Sequence, residues 1–170
     1  MKRLFVLSVV VAVFAILSCA DNKKQAEVSA STFELDQLLT VAERNVDDTV
    51  TVVGYVTHTC KHAGKKCFIV GESQKTSLRI EAQGEIEAFS ADLVGSKLAI
   101  TGVLKEFHLS REYIDEFESE VKELENQEGM AETCAAELSN ISDMRQWMKD
   151  HGKDYYVMYY MDGQKYDVLD

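Results

Sequence analysis

Val50-Thr51-Val52-Val53-Gly54-Tyr55-Val56-Thr57-His58-Thr59 is the stretch on which the fold turns. β-Branched and aromatic side chains fill it, as they fill pleated strands. Gly54, in its middle, marks a bulge or a sharp bend. Downstream, Cys67 to Val70 reads as a second strand. Ser77 to Ala82 reads as a third, in which Leu78 and Ile80 alternate with Arg79 and Glu81. Gly71-Glu72-Ser73-Gln74-Lys75 between them is turn-like. Ile86, Phe89 and Leu93 then lie at helical spacing, with Gly95 placed as a helix stop. Lys97 to Leu104 gives a fourth strand, with Gly102 as a second kink.

Three strands, a short helix and a fourth strand, the first strand bent by glycine, is the order of an OB-fold. The chain is therefore expected to be α+β, built on an OB-like five-stranded, partly open β-barrel. The helix lies between strands three and four, and a helical insertion at about 111–152 precedes the last strand. Tyr155 to Met161 supplies that strand. Its alternation puts Tyr156, Met158 and Tyr160 on one face and Tyr155, Val157, Tyr159 and Met161 on the other, both apolar enough to be covered. Asp162-Gly163, followed by Gln164 to Leu169, predicts a hairpin turn. Within the insertion, Tyr113, Ile114, Phe117, Val121 and Leu124 form a helical stripe. Ten acidic residues and one basic fall between Glu112 and Glu137, which reads as a solvated acidic face. Asn126 to Glu132 reads as a loop, and Ile141, Met144 and Met148 mark a second helix that stops at Gly152.

Upstream, Ser31-x-x-Glu34 has the capping-box pattern, and Leu35, Leu38, Leu39 and Ala42 follow as an amphipathic stripe. A helix from Thr32 to Arg44 is expected. Before it, Lys2-Arg3 opens on fourteen residues, Leu4 to Leu17, of which only Ser8 is polar. That is a signal-peptide core, too short for a membrane span of about 20 residues. Ile16-Leu17-Ser18-Cys19 has the form of a bacterial lipobox. The expected organisation is a signal peptide over 1–18, a lipidated tether over 19–30 and a single OB-like domain over 31–170. The lipobox implies that Cys19 carries the lipid, as in palmitate-bearing envelope lipoproteins. The chain is then expected in the bacterial cell envelope, outside the cytoplasm.

The core also resembles uncharacterised bacterial OB-fold lipoproteins. Three stretches carry the resemblance: Val52-Val53-Gly54-Tyr55-Val56, Cys60-Lys61-His62-Ala63-Gly64-Lys65-Lys66-Cys67-Phe68 and Leu93-Val94-Gly95-Ser96-Lys97-Leu98. The Cys-x-His-x4-Cys hairpin is the most distinctive of them.

The chain has 170 residues, four cysteines and no proline, which excludes Pro-rich linkers and polyproline ligands. Its net charge is −11. Removing Lys2 and Arg3 with the signal leaves 16 basic against 29 acidic residues, a net −13. Such a field repels nucleic acid, which is not expected as a partner. No G-x-S-x-G, P-loop, H-E-x-x-H, EF-hand or C-x-x-C signature is present, so no enzyme is expected.

Chemistry concentrates in His58-Thr59-Cys60-Lys61-His62-Ala63-Gly64-Lys65-Lys66-Cys67. In a strand His58, Cys60 and His62 share a face, and Cys67 returns opposite Cys60. These side chains suit zinc or copper. An oxidising compartment suits a Cys60–Cys67 disulfide instead, and a reduced, structurally inert pair is the third reading. With Cys19 acylated, three thiols remain, an odd number. Either Cys134 is free, or it joins Cys60, Cys67 and a histidine at a Cys3His site. Lys61, Lys65 and Lys66 would favour the thiolates in either case. Two functions follow from these residues. One is a lipid-anchored, non-enzymatic binding module that meets a small ligand, metal or protein partner at the Cys60–Cys67 hairpin. The other is a metal-handling or thiol-redox protein using Cys60, His62, Cys67 and Cys134.

Overall fold

The computed structural model describes residues 30–61, 63–125, 127 and 129–169. The signal and lipobox readings, with Cys19, and the expected ligand His62 lie outside the described residues. The elements run β1 (Ser31–Glu34), α1 (Leu35–Thr40), β2 (Thr49–Thr59), β3 (Lys66–Val70), β4 (Ser77–Ala82), β5 (Lys97–Ser110), α2 (Arg111–Leu124), α3 (Ala131–His151) and β6 (Tyr155–Leu169).

β2, β3 and β4 form an antiparallel meander. β4 then pairs parallel with β6, β6 pairs antiparallel with β5, and β5 returns to β2. This closes a five-stranded mixed barrel, the expected OB-like α+β fold. Its interior is filled by alternate residues of every strand, among them Val52, Ile69, Leu78, Ile80, Leu98, Ile100, Leu104 and Met161.

Several local expectations change. Ser31-x-x-Glu34 does not cap a helix; it is β1, pairing parallel with Val50–Val53. Phe33 packs against the core half-buried, and that packing together with satisfied backbone groups outweighs the local capping signal. The stripe after it is read correctly, since Leu35, Leu38 and Ala42 are all buried. They sit on α1 and on a separate 3-10 turn over Ala42–Arg44 rather than on one continuous helix. The helical segment between β4 and β5 contracts to one 3-10 turn, Ala91–Leu93, capped by the Ser90 side chain. Ile86 and Phe89 reach the core from irregular backbone.

The largest correction concerns Asp162-Gly163. No hairpin forms there, and β6 runs straight through. Both flanks of the dipeptide pair with β5, which extends to Ser110 rather than ending at Leu104. The register shifts between Thr101 and Gly102, so that Gly102 faces Gly163 while Thr101 faces Lys165. The glycines answer a close approach rather than a turn. A Cβ on Gly163 would lie 2.7 Å from Ile80 Cγ2, and one on Gly102 would lie 2.8 Å from Gly163 Cα.

Beyond Leu104, β5 and β6 leave the barrel as a two-stranded ribbon. α2 and α3 pack on its far end around a second core of Leu109, Ile114, Val121, Cys134, Ile141 and Met148. Trp147 meets Tyr156 edge-on at 5.3 Å. Arg145 Nη1 on α3 reaches Asp115 Oδ1 of α2 at 2.7 Å, and its Nη2 reaches Glu118 Oε2 at 2.5 Å. Among the described residues no helix is long and apolar enough to cross a membrane.

Candidate functional site

The β2–β3 hairpin sets the site. A bulge between Val56 and His58 shifts the register, so His58 faces Phe68 and Thr59 faces Cys67. Thr59 (6% exposed) and Cys67 (0%) therefore point into the barrel. His58 points outward, its ring 6.0 Å from that of Phe68. Cys60 is half-buried at the mouth, where its N–H donates to the Lys66 carbonyl at 2.9 Å. The loop is pinned from below: Gly64, at φ +60°, accepts from Phe89 N–H at 2.7 Å, and Lys65 Nζ donates to the Glu87 carbonyl at 2.7 Å.

This geometry places the described cysteines in three different surroundings. Cys60, Cys67 and Cys134 are each unbonded. Cys67 is opposite Thr59 rather than Cys60, and it belongs to the barrel core. Burial pushes its thiol up to about 12, so it is protonated at neutral pH. Cys134 is on α3 in the second core, away from the hairpin. Among the described residues, no three His, Cys, Asp or Glu side chains are gathered to hold a metal. A zinc or copper site that used Cys67 would require it to leave the core and lose its proton.

The outward face of the same strands is more informative. Following the pairing from strand to strand, His58, Phe68, Arg79, Tyr160 and Lys105 stand side by side on β2, β3, β4, β6 and β5. Basic and aromatic side chains alternate along this row. Arg79 Cζ lies 5.0 Å from the Tyr160 ring centroid, a cation–π contact. Arg79 Nε is 3.2 Å from Glu81 Oε1, but it makes no hydrogen bond. The same carboxylate oxygen is 3.7 Å from Lys66 Nζ, so Glu81 is shared between two cations.

Above this row, on the ribbon, Phe107 faces Met158. They are 55% and 42% exposed, large apolar side chains without cover. With Phe68, Ser77, Arg79 and Tyr160 they line a cleft of about 140 Å³. That is below the roughly 300–1,000 Å³ of pockets for drug-sized ligands, and it suits a single side chain or ring. Of these residues, the sequence reading includes Phe68 only within the hairpin stretch; it expects Met158 and Tyr160 on a covered face, whereas Met158 is 42% exposed, and it misses Arg79 and Phe107. Arg79 was legible only as the polar alternate of a strand, and Phe107 lies beyond the expected end of its strand.

A second, shallower cleft lies where α2 begins and α3 ends, lined by Arg111, Arg145, Lys149, Lys153 and Asp154. Two of its cations are engaged elsewhere: Arg145 with Asp115 and Glu118, and Lys153 with Glu43 at 3.3 Å. On the opposite face of the ribbon, His108 stacks on Tyr155 with centroids 4.1 Å apart and shares a 2.9 Å hydrogen bond with Glu106.

No family model matches the chain, and no curated protein matches it. Among solved structures, it is similar to a putative aspartyl-tRNA synthetase from Leishmania major Friedlin, with a TM-score of 0.42 and 13% identity. The match covers 86% of this chain and 22% of the other, so the chain spans about a fifth of that protein's length.

Proposed function

We propose that this chain is a lipid-anchored, extracytoplasmic, non-enzymatic binding module. Its ligand contact begins at the Cys60–Cys67 hairpin and extends over the outward face of the barrel. One observation carries the reading: the row His58, Phe68, Arg79, Tyr160 and Lys105 places rings and cations on the strand surface, beside the uncovered pair Phe107 and Met158. Barrels of this type use the same strand surface for ligands. The anchor is Cys19, whose lipobox context supports acylation. An acidic body adds no membrane affinity of its own, so the acyl chains supply it.

The test is site-resolved. N-acetylphenylalaninamide, titrated to millimolar concentration against the ¹⁵N-labelled chain, should shift the amides of His58, Phe68, Arg79, Phe107, Met158 and Tyr160. Shifts confined to the cleft of Arg111 and Lys149, or absent altogether, would overturn the reading. For the anchor, labelled palmitate should be incorporated into the unaltered chain and lost in Cys19→Ala. Incorporation that survives the substitution would sink it.

The metal or thiol-redox reading rests on Cys60, which is half-buried at the mouth of the hairpin beside three lysines in sequence. Stoichiometric zinc or copper in protein purified without chelator would favour it over the binding module.

A further inference from the structure

We propose that the cleft recognises an extended polypeptide segment in which an apolar ring adjoins an acidic residue. The inference rests on the binding-module reading and names the partner for that site. Three observations converge on it.

First, the size is that of one side chain. The cleft holds about 140 Å³ between Phe68, Phe107, Met158, Tyr159 and Tyr160, with a thioether and four rings on its walls. A ring inserted there meets aromatic edges and a polarisable sulfur, the environment that anchor residues seek at protein interfaces.

Second, the charge next to it is positive in a chain of net charge −11. Arg79 lines the cleft and Lys66 is the outward residue on β3 two positions before Phe68, while Lys105, at the end of the row, is paired with Asp47 at 2.7 Å. Glu81 answers both Arg79 and Lys66 with one carboxylate oxygen, and Arg79 Nε makes no hydrogen bond with it. The guanidinium carbon lies 5.0 Å from the Tyr160 centroid, and Glu81 leaves Nε without a hydrogen bond. A carboxylate arriving beside the ring would meet the reachable remainder of the Arg79 side chain, which is 36% exposed, rather than the buried Nε.

Third, the rest of the surface argues for a small charge rather than a polyanion. A single-stranded nucleic acid would also stack on alternating rings and cations. It would bring many phosphates toward a chain with 29 acidic against 18 basic residues, and toward the acidic helix α2 at the ribbon's far end. One carboxylate beside one ring gains the local attraction with far less of that repulsion.

The full chain, in nanodiscs of zwitterionic lipid, is titrated into fluorescein-labelled hexapeptides and followed by anisotropy. The probes are GSFDSG, GSSDSG without the ring, GSFKSG with the charge reversed, and an eight-residue oligothymidylate. GSFDSG should bind at least tenfold more tightly than either altered peptide. R79E should weaken GSFDSG at least tenfold and strengthen GSFKSG, and F107S should weaken both peptides that carry the ring. Equal binding of GSFDSG and GSFKSG overturns the proposal, as does R79E that leaves GSFDSG within twofold. Should R79E fail to fold, the difference between GSFDSG and GSFKSG on the unaltered chain decides the matter in the same way. Oligothymidylate binding that exceeds the peptide and is lost in R79E overturns the partner class but leaves the binding face standing. If no probe binds while N-acetylphenylalaninamide still shifts the cleft amides, the partner class alone fails. If neither binds, the binding-module reading fails with it.

Discussion

Cys67→Val separates a core side chain from a functional thiol. Cys67 is fully buried on β3, faces Ile80 of β4, and has its thiol pushed up to about 12 by burial. Valine replaces it with a side chain of similar size and no polar atom, a change that cores accept at a cost below about 1.5 kcal/mol. At pH 7 the variant should therefore stay within that range of the parent in urea unfolding. The alkaline limb should differ. The unfolded thiol titrates near its ordinary 9.0 and the folded one near about 12. In that window the unfolded chain has released the proton and the folded chain still holds it. The folded state binds more protons, so stability falls as pH rises. Each unit is about 1.4 kcal/mol, so Cys67 alone removes about 3 kcal/mol by pH 11 and about 4 kcal/mol by pH 12. Valine removes that loss. Relative to the parent, the variant should gain about 3 kcal/mol between pH 7 and pH 11. Urea melts at the two pH values, followed by far-ultraviolet circular dichroism, measure it. A pH-independent difference would refute the buried-thiol reasoning. A loss above about 3 kcal/mol at pH 7 would mean that Cys67 is held by a metal or a second sulfur.

Other consequences are equally open to measurement. Gly102→Ala forces a Cβ against the Asp162 carbonyl and within 2.8 Å of Gly163 Cα, so it should cost about 3 kcal/mol, an overpacking penalty at the upper end of its usual range. Gly95→Ala, at φ +91° with open space around it, should cost only about 1 kcal/mol from backbone strain; equal losses at the two sites would contradict the β5–β6 register. Asp36 accepts hydrogen bonds from the Ser73 hydroxyl and N–H, which hold its carboxyl below the usual range. Its contribution is present above the ordinary 3.8 and lost as pH falls through the lower folded value, so Asp36→Ala should flatten the acid limb of the stability curve while leaving the alkaline limb unchanged. Ile141→Ala, in the second core, should cost about 2–5 kcal/mol of local stability and raise hydrogen exchange in α2 and α3, with barrel amides such as Ile69 and Ile100 unaffected. Uniform acceleration across the barrel would show that the two cores unfold as one.

Strand content inside the barrel was legible because alternation is a local signal: Leu78 and Ile80 fix which face of β4 is inward, whatever the strand pairs with. Asp162-Gly163 misled because turn chemistry is also local, whereas the need for glycine there comes from Ile80, a residue about eighty positions away. Ser31-x-x-Glu34 failed for a related reason, since the partner that makes it a strand is Val50–Val53. At the site, spacing placed His58, Cys60 and Cys67 on one hairpin, but it gave no sign of the bulge after Val56 that turns His58 outward opposite Phe68 and sets Cys67 against Thr59. The row from His58 to Lys105 is a product of register across five strands, which no single segment encodes.

The ribbon that joins the two cores has a further consequence. Two bodies joined by a linker usually open and close about a loop hinge. Here both connections are strands, and the pairing from Gly102–Gly163 to Ser110–Tyr155 is unbroken. The gap above Tyr160 therefore has its width set by strand twist rather than by a swinging joint. A guest would meet walls already in place, and little freedom would be lost in closing them. Its recognition should accordingly be rapid and rigid-body in character, with selectivity set by shape and charge at the wall rather than by a change of form.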